Sequence, residues 1–116
     1  YSIESVEKII QDIPKSPFNV IWGGGAHIEY LYQLTSLFHA RTKSDFIIVD
    51  SDPLKQGKTW RGIPIYNPAK IKGLNWSSTN LLISSYGEQE AIFQAAIELN
   101  VIPSSIYQFY ETIRRY

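Results

Sequence analysis

The sequence predicts an α/β domain with a Rossmann-like, doubly wound parallel sheet of about five strands in a three-layer α/β/α arrangement. Short apolar runs alternate along the chain with segments whose apolar residues recur at helical spacing. One run, Phe46–Val49, is apolar throughout, as expected of a strand that is covered on both faces. Another run, residues 20–22, leads into three glycines and a helical segment. That strand–turn–helix arrangement is how such domains present backbone amides to a phosphate.

The size and composition of the chain restrict the classes of function. Its 116 residues fit one domain, and eleven basic residues offset eleven acidic ones, so we expect no nucleic-acid partner. No apolar run approaches the roughly 20 residues that cross a bilayer, so we expect no membrane partner. The absence of cysteine is compatible with the cytoplasm, the location that we expect. Because the chain also lacks methionine, we expect a fragment whose parent polypeptide is a further partner.

The first predicted element is an amphipathic helix that stops before Pro14, since proline cannot continue it. This helix and its connector occupy residues 1–17, and the α/β core occupies residues 18–110 of the same single domain. The apolar residues of the helix recur at helical spacing: Ile3, Val6, Ile9, Ile10 and Ile13.

The core elements follow from apolar runs and from the residues that end them. Pro64 cannot donate to a strand ladder, so its short strand is predicted at a sheet edge. Asn67 and Pro68 form a helix start, and Asn100 followed by Pro103 forms a helix stop. The predicted elements are strands at Phe18–Trp22, Phe46–Val49, 63–65, 80–84 and 106–109, and helices at 26–39, 68–72, 87–99 and 111–116.

The glycine turn is the main candidate for a binding site. Gly23, Gly24 and Gly25 can supply a tight turn and a close backbone approach, so we expect the amides from Gly24 to Ala26 to receive a phosphate. In the dinucleotide pattern G-x-G-x-x-G, counted from Gly23, the third glycine is replaced by Ile28. The turn therefore indicates a strand–turn–helix rather than NAD in particular. The alternative is a turn that binds nothing.

Two further candidates lie close to this turn. His27 is in the first helical turn, where the helix dipole favours a neutral ring that can donate to a phosphate or a hydroxyl. Asp50 directly follows the second strand, where its carboxylate can accept bonds from ribose hydroxyls and would repel a 2′-phosphate. The alternatives are an exposed histidine without a role and an aspartate that serves a turn.

Ser84 and Ser85 end a strand at the same predicted edge, where they can line the site or cap the next helix. Lys55, Lys58 and Arg61 lie in a polar loop, where they can neutralise phosphate or simply be solvated. No pair of residues has metal-ligand spacing, and no catalytic residue is predicted.

Three segments carry a resemblance to known families: VIWGGGAH (20–27), IIVDSDPLKQGKTWRGIPIYNP (47–68) and LLISSYGEQEAI (81–92). They resemble the Rossmann-like C-terminal domains of bacterial sugar C-methyltransferases that use S-adenosylmethionine. They also resemble the nucleotide-sugar-binding N-terminal domains of sugar acyltransferases. The resemblance covers about residues 20–110. It implies that Gly23, Gly25, His27 and Asp50 line the sugar-nucleotide side and that residues 55–58 lie in the loop after the second strand. The first helix departs from the acyltransferase pattern, and neither a left-handed β-helix nor a methyl-donor site is present.

The sequence thus predicts a nucleotide- or nucleotide-sugar-binding accessory domain of a larger bacterial transferase of surface-polysaccharide synthesis, not catalytic by itself. NAD is a less favoured ligand. S-adenosylmethionine is also less favoured, because Ile21 and Trp22 stand where its sites usually carry an acidic residue. One alternative is an NAD-dependent oxidoreductase domain. Another is a ligand-free interaction or homo-oligomerisation module, with an aromatic surface from Tyr107, Phe109, Tyr110 and Tyr116.

Overall fold

The computed structural model of the chain describes residues 3–15, 18–39, 41–42 and 45–110. The predicted helix at 111–116 lies outside these residues. In the described part, 3₁₀ helices at Pro68–Ile71 and Pro103–Ser105 accompany three α-helices and six strands. These are α1 (Ile3–Asp12), β1 (Phe18–Trp22), α2 (Ala26–Leu34), β2 (Phe46–Val49), β3 (Thr59–Trp60), β4 (Ile63–Tyr66), β5 (Thr79–Ile83), α3 (Gln89–Glu98) and β6 (Ile106–Gln108).

The strands form one sheet in the order β3-β4-β2-β1-β5-β6. All neighbours are parallel except β3 and β4, which run antiparallel. The predicted α/β class with a largely parallel sheet is therefore confirmed, and the architecture is compatible with a Rossmann-like fold. The chain extends to one side of β1 through β2 and β4, then crosses to β5 on the other side. The direction of the strand order thus reverses between β1 and β5.

The sheet has six strands rather than the predicted five because part of the polar loop after β2 forms β3. Arg61 and Gly62 both have positive φ, at 48° and 84°, and join Trp60 to Ile63 in a two-residue hairpin. The prediction that the strand at 63–65 lies at an edge was consequently wrong. Pro64 is tolerated inside the sheet because the registered pairs with β2 begin one residue later, at Ile65.

Two apolar clusters divide the side chains of the sheet. Consecutive residues of β1 alternate between them: Ile21 belongs to the first cluster, whereas Val20 and Trp22 belong to the second. The first cluster also contains residues of α1 and α2, and the second contains Ala96 of α3. Both sets of strand side chains are therefore buried with helical residues, which explains why β2 is apolar along its length and β1 is apolar except at Asn19.

Helix α2 ends at Leu34, earlier than the predicted end near residue 39. Thr35 is extended, with φ −130° and ψ 170°, and its hydroxyl donates to the Leu31 carbonyl at 2.5 Å. The backbone N–H of Thr35 donates to the same carbonyl at 3.2 Å, so this carbonyl has two donors where the helix ends. Arg41 donates to the carbonyls of Leu37 and Ile13, at 3.3 Å each.

Helix α3 begins at Gln89, two residues later than predicted, and ends at the predicted stop. Asn100 has φ 67°, and its N–H donates to the Ile97 carbonyl at 3.0 Å. The N–H of Val101 donates to the Ala96 carbonyl at 3.1 Å. These two bonds form a Schellman motif, so the prediction of a left-handed asparagine stop is confirmed.

A pair of buried asparagines links β1 and β5 near their amino ends. Asn19 and Asn80 are partners in the parallel register, and Asn80 Nδ2 donates to Asn19 Oδ1 at 2.9 Å. Asn80 Nδ2 also donates to the Pro14 carbonyl at 2.8 Å, which ties the segment after α1 to the sheet.

In the described part of the chain, no helix has both the length and the apolar character needed to cross a membrane.

Candidate functional site

A cleft of about 330 Å³ lies at the carboxyl ends of β1, β2 and β5. It lies where the strand order reverses, which is where open α/β sheets usually bind ligands. The structure brings seven of the eight predicted site residues to this cleft, and the eighth, Gly24, stands next to it in the chain. The predicted residues that line the cleft are Gly23, Gly25, Ala26, His27, Asp50, Ser84 and Ser85. Further lining residues include Trp22, Ser51, Lys55, Tyr86, Glu88 and Ile92.

Gly23 fixes the base of the cleft. It has φ 121°, and a Cβ added to it would lie 2.5 Å from the Ser84 carbonyl oxygen. Its N–H donates to the Val49 carbonyl at 2.8 Å, and the N–H of Ser84 donates to the Trp22 carbonyl at 2.9 Å. The ends of three strands are therefore held at a separation that leaves no room for a side chain.

Gly24 and Asp50 are bonded to each other. The N–H of Gly24 donates to Asp50 Oδ2 at 2.7 Å, so the expectation that this amide faces a phosphate was wrong. The N–H of Asp52 donates to the other oxygen, Asp50 Oδ1, at 2.8 Å. Because an ionised carboxylate has about four acceptor positions, Asp50 can still accept a ligand hydroxyl. Its main structural role is to hold the glycine turn against the end of β2.

The amino end of α2 and the ammonium group of Lys55 lie side by side in the cleft. Gly25, the N-cap of α2, has no side chain with which to cap the first turn, so the amides there depend on another acceptor. Lys55 Nζ lies 3.9 Å from Asp50 Oδ2 and 3.5 Å from the position of a Cβ built on Gly25. Helix dipole and ammonium group thus both favour an anion at this point.

The other two cations of the polar loop do not line this cleft. Arg61 forms an ion pair with Glu29 of α2, with 2.9 Å between Nε and Oε1, and its guanidinium lies 4.0 Å from the Tyr32 ring centroid. Lys58 is exposed. The sequence could not show which of the three cations lies at the cleft, because that depends on the conformation of the loop after β2.

His27 is bonded at both ring nitrogens to hydroxyls of the chain itself. Nδ1 lies 2.9 Å from Ser84 Oγ, and Nε2 lies 2.5 Å from the Tyr110 hydroxyl. Burial lowers the pKa of His27, which agrees with the neutral ring that we expected but gives it a different cause. We expected this ring to donate to a phosphate or a hydroxyl, and its bonds are to hydroxyls of the chain itself, so a direct bond to a phosphate would require one of them to break.

The residues at 84–86, which follow β5, have three different environments. Ser84 is buried against His27. Ser85 lines the cleft, and its Oγ accepts the N–H of Glu88 at 3.0 Å, just ahead of α3, whose N-cap Glu88 has no side-chain cap. Tyr86 lies at the rim of the cleft, 59 % exposed, with its ring centroid 5.0 Å from that of Tyr110 in an edge-to-face arrangement. Sequence reasoning did not place Tyr110 at the site, since nothing local links it to a histidine 83 positions away.

Among the described residues, no group of three or more His, Asp or Glu side chains is arranged to hold a metal ion. No protein-family model, curated protein or solved structure matches this chain.

Proposed function

We propose that this chain is a Rossmann-like, three-layer domain that binds a nucleotide or nucleotide sugar at the cleft. It serves as an accessory part of a larger cytoplasmic enzyme of bacterial sugar or surface-polysaccharide synthesis and catalyses no reaction by itself. The observation that carries the proposal is the cleft at the strand-order reversal, with the glycine turn, Lys55 and Asp50 on its walls. Its volume of about 330 Å³ lies within the usual range for small-molecule sites.

Each part of the ligand has a matching group. The amides of Gly25 and Ala26 and the ammonium of Lys55 receive the phosphates, because they combine donors, a helix dipole and a charge. Asp50 accepts from the ribose, using the acceptor positions left by its two backbone bonds. The link to a methyltransferase or acyltransferase rests on the resemblance of the three sequence segments, and the reaction belongs to the rest of the parent enzyme.

Thermal unfolding in the presence of candidate ligands tests this proposal. A ligand present at 100 times its Kd stabilises the folded chain by about 2.7 kcal/mol, so binding raises the Tm measurably. We expect a rise with UDP- or dTDP-sugars and none with NAD or S-adenosylmethionine. A rise with NAD alone would support the oxidoreductase alternative, and no rise with any ligand would support a ligand-free module.

A pair of lysine variants tests the location of the site. We expect Lys55→Ala to weaken binding of a UDP-sugar about 10-fold, because a hydrogen bond to a charged group contributes about 1.5–3 kcal/mol. Lys58→Ala, in the same loop but outside the cleft, should bind as the unchanged chain does. Isothermal titration calorimetry measures both affinities. Equal affinities for the two variants would contradict the phosphate position.

A further inference from the structure

Three side chains from distant parts of the chain form a continuous hydrogen-bonded series that ends in the cleft. Tyr110, which follows β6, bonds to His27 at the start of α2, and His27 bonds to Ser84 at the end of β5. Within the described part of the chain, Ser84 Oγ has no hydrogen-bond partner besides His27. A serine hydroxyl has one donor and two acceptor positions, so the bond to His27 leaves two of the three positions of this buried group unused.

The bond lengths indicate the direction of donation. Hydroxyl donors make bonds of about 2.5–3.0 Å, whereas N–H donors to oxygen make bonds of about 2.7–3.2 Å. The 2.5 Å separation at Nε2 is shorter than N–H donors make and therefore fits donation by the Tyr110 hydroxyl. The 2.9 Å separation at Nδ1 lies in both ranges, and Nδ1 is the donor because a neutral ring that accepts at Nε2 carries its proton on Nδ1. A phenol is also a better donor than acceptor, and a neutral imidazole has one nitrogen that must accept.

The protonation states are consistent with this direction. Burial lowers the pKa of His27, so the ring is neutral near pH 7. Burial also raises the pKa of Tyr110, so its hydroxyl keeps the proton that it donates. Because Ser84 Oγ then accepts from His27, its own O–H remains to be donated, and the residue lines the cleft.

We infer that Tyr110 and His27 are positioning residues that turn the Ser84 hydroxyl into the cleft as a donor to a phosphoryl oxygen of the ligand. This inference rests on the proposed function for the ligand class, and on the residues above for the donor. The bonds of such a series polarise one another, so the last donor is strengthened. A phosphoryl oxygen is the matching acceptor because Lys55 and the α2 amides line the same cleft.

The ring proton of His27 can be observed directly. Two-bond ¹H–¹⁵N spectra distinguish a proton on Nδ1 from one on Nε2, and a His39→Gln variant assigns the signals, since the chain has two histidines. We expect the Nδ1–H form in the unchanged chain and in Ser84→Ala. In Tyr110→Phe, which loses the donor to Nε2, we expect the Nε2–H form to increase. An Nε2–H ring in the unchanged chain would overturn the inference.

Binding measurements test the ligand side. We expect Ser84→Ala to bind UDP and inorganic pyrophosphate at least 10-fold more weakly, and Tyr110→Phe about 3-fold more weakly. Ser78→Ala is the matched control because it changes a serine at the opposite end of β5, and it should leave both affinities unchanged. Uridine, which has no phosphate, should lose no affinity in Ser84→Ala.

The outcomes separate this inference from the proposed function. If the unchanged chain binds UDP and Ser84→Ala binds it equally well, the donor role of Ser84 is overturned and the nucleotide site stands. An equal loss for uridine would place the acceptor on the nucleoside and overturn the phosphoryl assignment. If the unchanged chain binds neither nucleotides nor pyrophosphate, the proposed function fails, and the ligand assigned to Ser84 fails with it.

Discussion

At the scale of single residues, Gly23 has the least room for a side chain among the glycines. Its N–H bonds to Val49 on one side, and the carbonyl of Ser84 stands where its Cβ would be on the other. The positive φ of 121° is a second and independent restriction, because residues with a side chain rarely adopt it. The geometry of the cleft therefore depends on the absence of one methyl group.

We expect Gly23→Ala to lower the free energy of unfolding by more than about 1–3 kcal/mol. That range is the cost of the unfavourable backbone conformation alone, and the contact with the Ser84 carbonyl adds to it. Gly87→Ala is the control, because a Cβ there meets nothing within 4 Å. Urea denaturation measures both variants, and equal stability of the two would contradict the close approach seen at β5.

The sequence identified the residues of the cleft better than it identified their partners. A glycine run after an apolar strand indicates a turn at the sheet edge, and residues that end parallel strands meet at that edge, so Gly23, Asp50 and Ser84 could be predicted together. Their hydrogen-bond partners could not be predicted, because these depend on how side chains from distant parts of the chain are oriented toward one another. The Gly24–Asp50 bond and the Tyr110–His27 bond are therefore products of tertiary structure.

At the scale of elements, the end of α3 is determined by its local sequence. Asn100 was predicted as a left-handed stop, and both bonds of the Schellman motif form around it.

The hairpin of β3 and β4, in contrast, could not be predicted from the local sequence. Strand β3 has two residues, too few for a recognisable apolar pattern, and the positive φ of Arg61 is unusual for arginine. Its ion pair with Glu29 of α2 accompanies this conformation.

We expect Asn100→Ala to lower the free energy of unfolding by about 1 kcal/mol, because a Cβ-bearing residue without the local bonding of asparagine disfavours the left-handed region. Asn100→Gly should be at least as stable as the unchanged chain, since glycine adopts this conformation readily. Thermal and urea unfolding measure the difference. An alanine variant as stable as the glycine variant would contradict the role of Asn100 in ending α3.

At the scale of the whole molecule, α1 belongs to the core. Its residues Val6 and Ile10 are buried in the same cluster as Ile21 of β1 and Ile28 of α2. Glu7 adds polar contacts, since its carboxylate accepts the N–H of Ser36 at 2.8 Å. The helical spacing of isoleucine and valine predicted this helix, but only the packing shows that it shares an apolar cluster with the sheet.

We expect Ile10→Ala to lower the free energy of unfolding of the entire chain by about 2–5 kcal/mol, through lost burial and the remaining cavity. Ile3→Ala is the control on the same helix, because Ile3 is 44 % exposed, and its effect should stay within about 0.5 kcal/mol. Circular dichroism and tryptophan fluorescence should report one common transition. A separate early transition would show that α1 unfolds independently.

The buried amides of Asn19 and Asn80 distinguish between competing alignments of β1 and β5, two strands that are otherwise hydrophobic apart from Thr79. Aliphatic side chains pack nearly equally well in several registers. A shift of β5 along β1 would instead separate the two amides and leave each without its partner in apolar surroundings. The asparagine pair near the amino ends of β1 and β5 thus fixes the register of the two strands, and the same register sets which backbone atoms are neighbours at their carboxyl ends. The close approach of Gly23 to the Ser84 carbonyl therefore depends on a polar pair at the other end of the same strands.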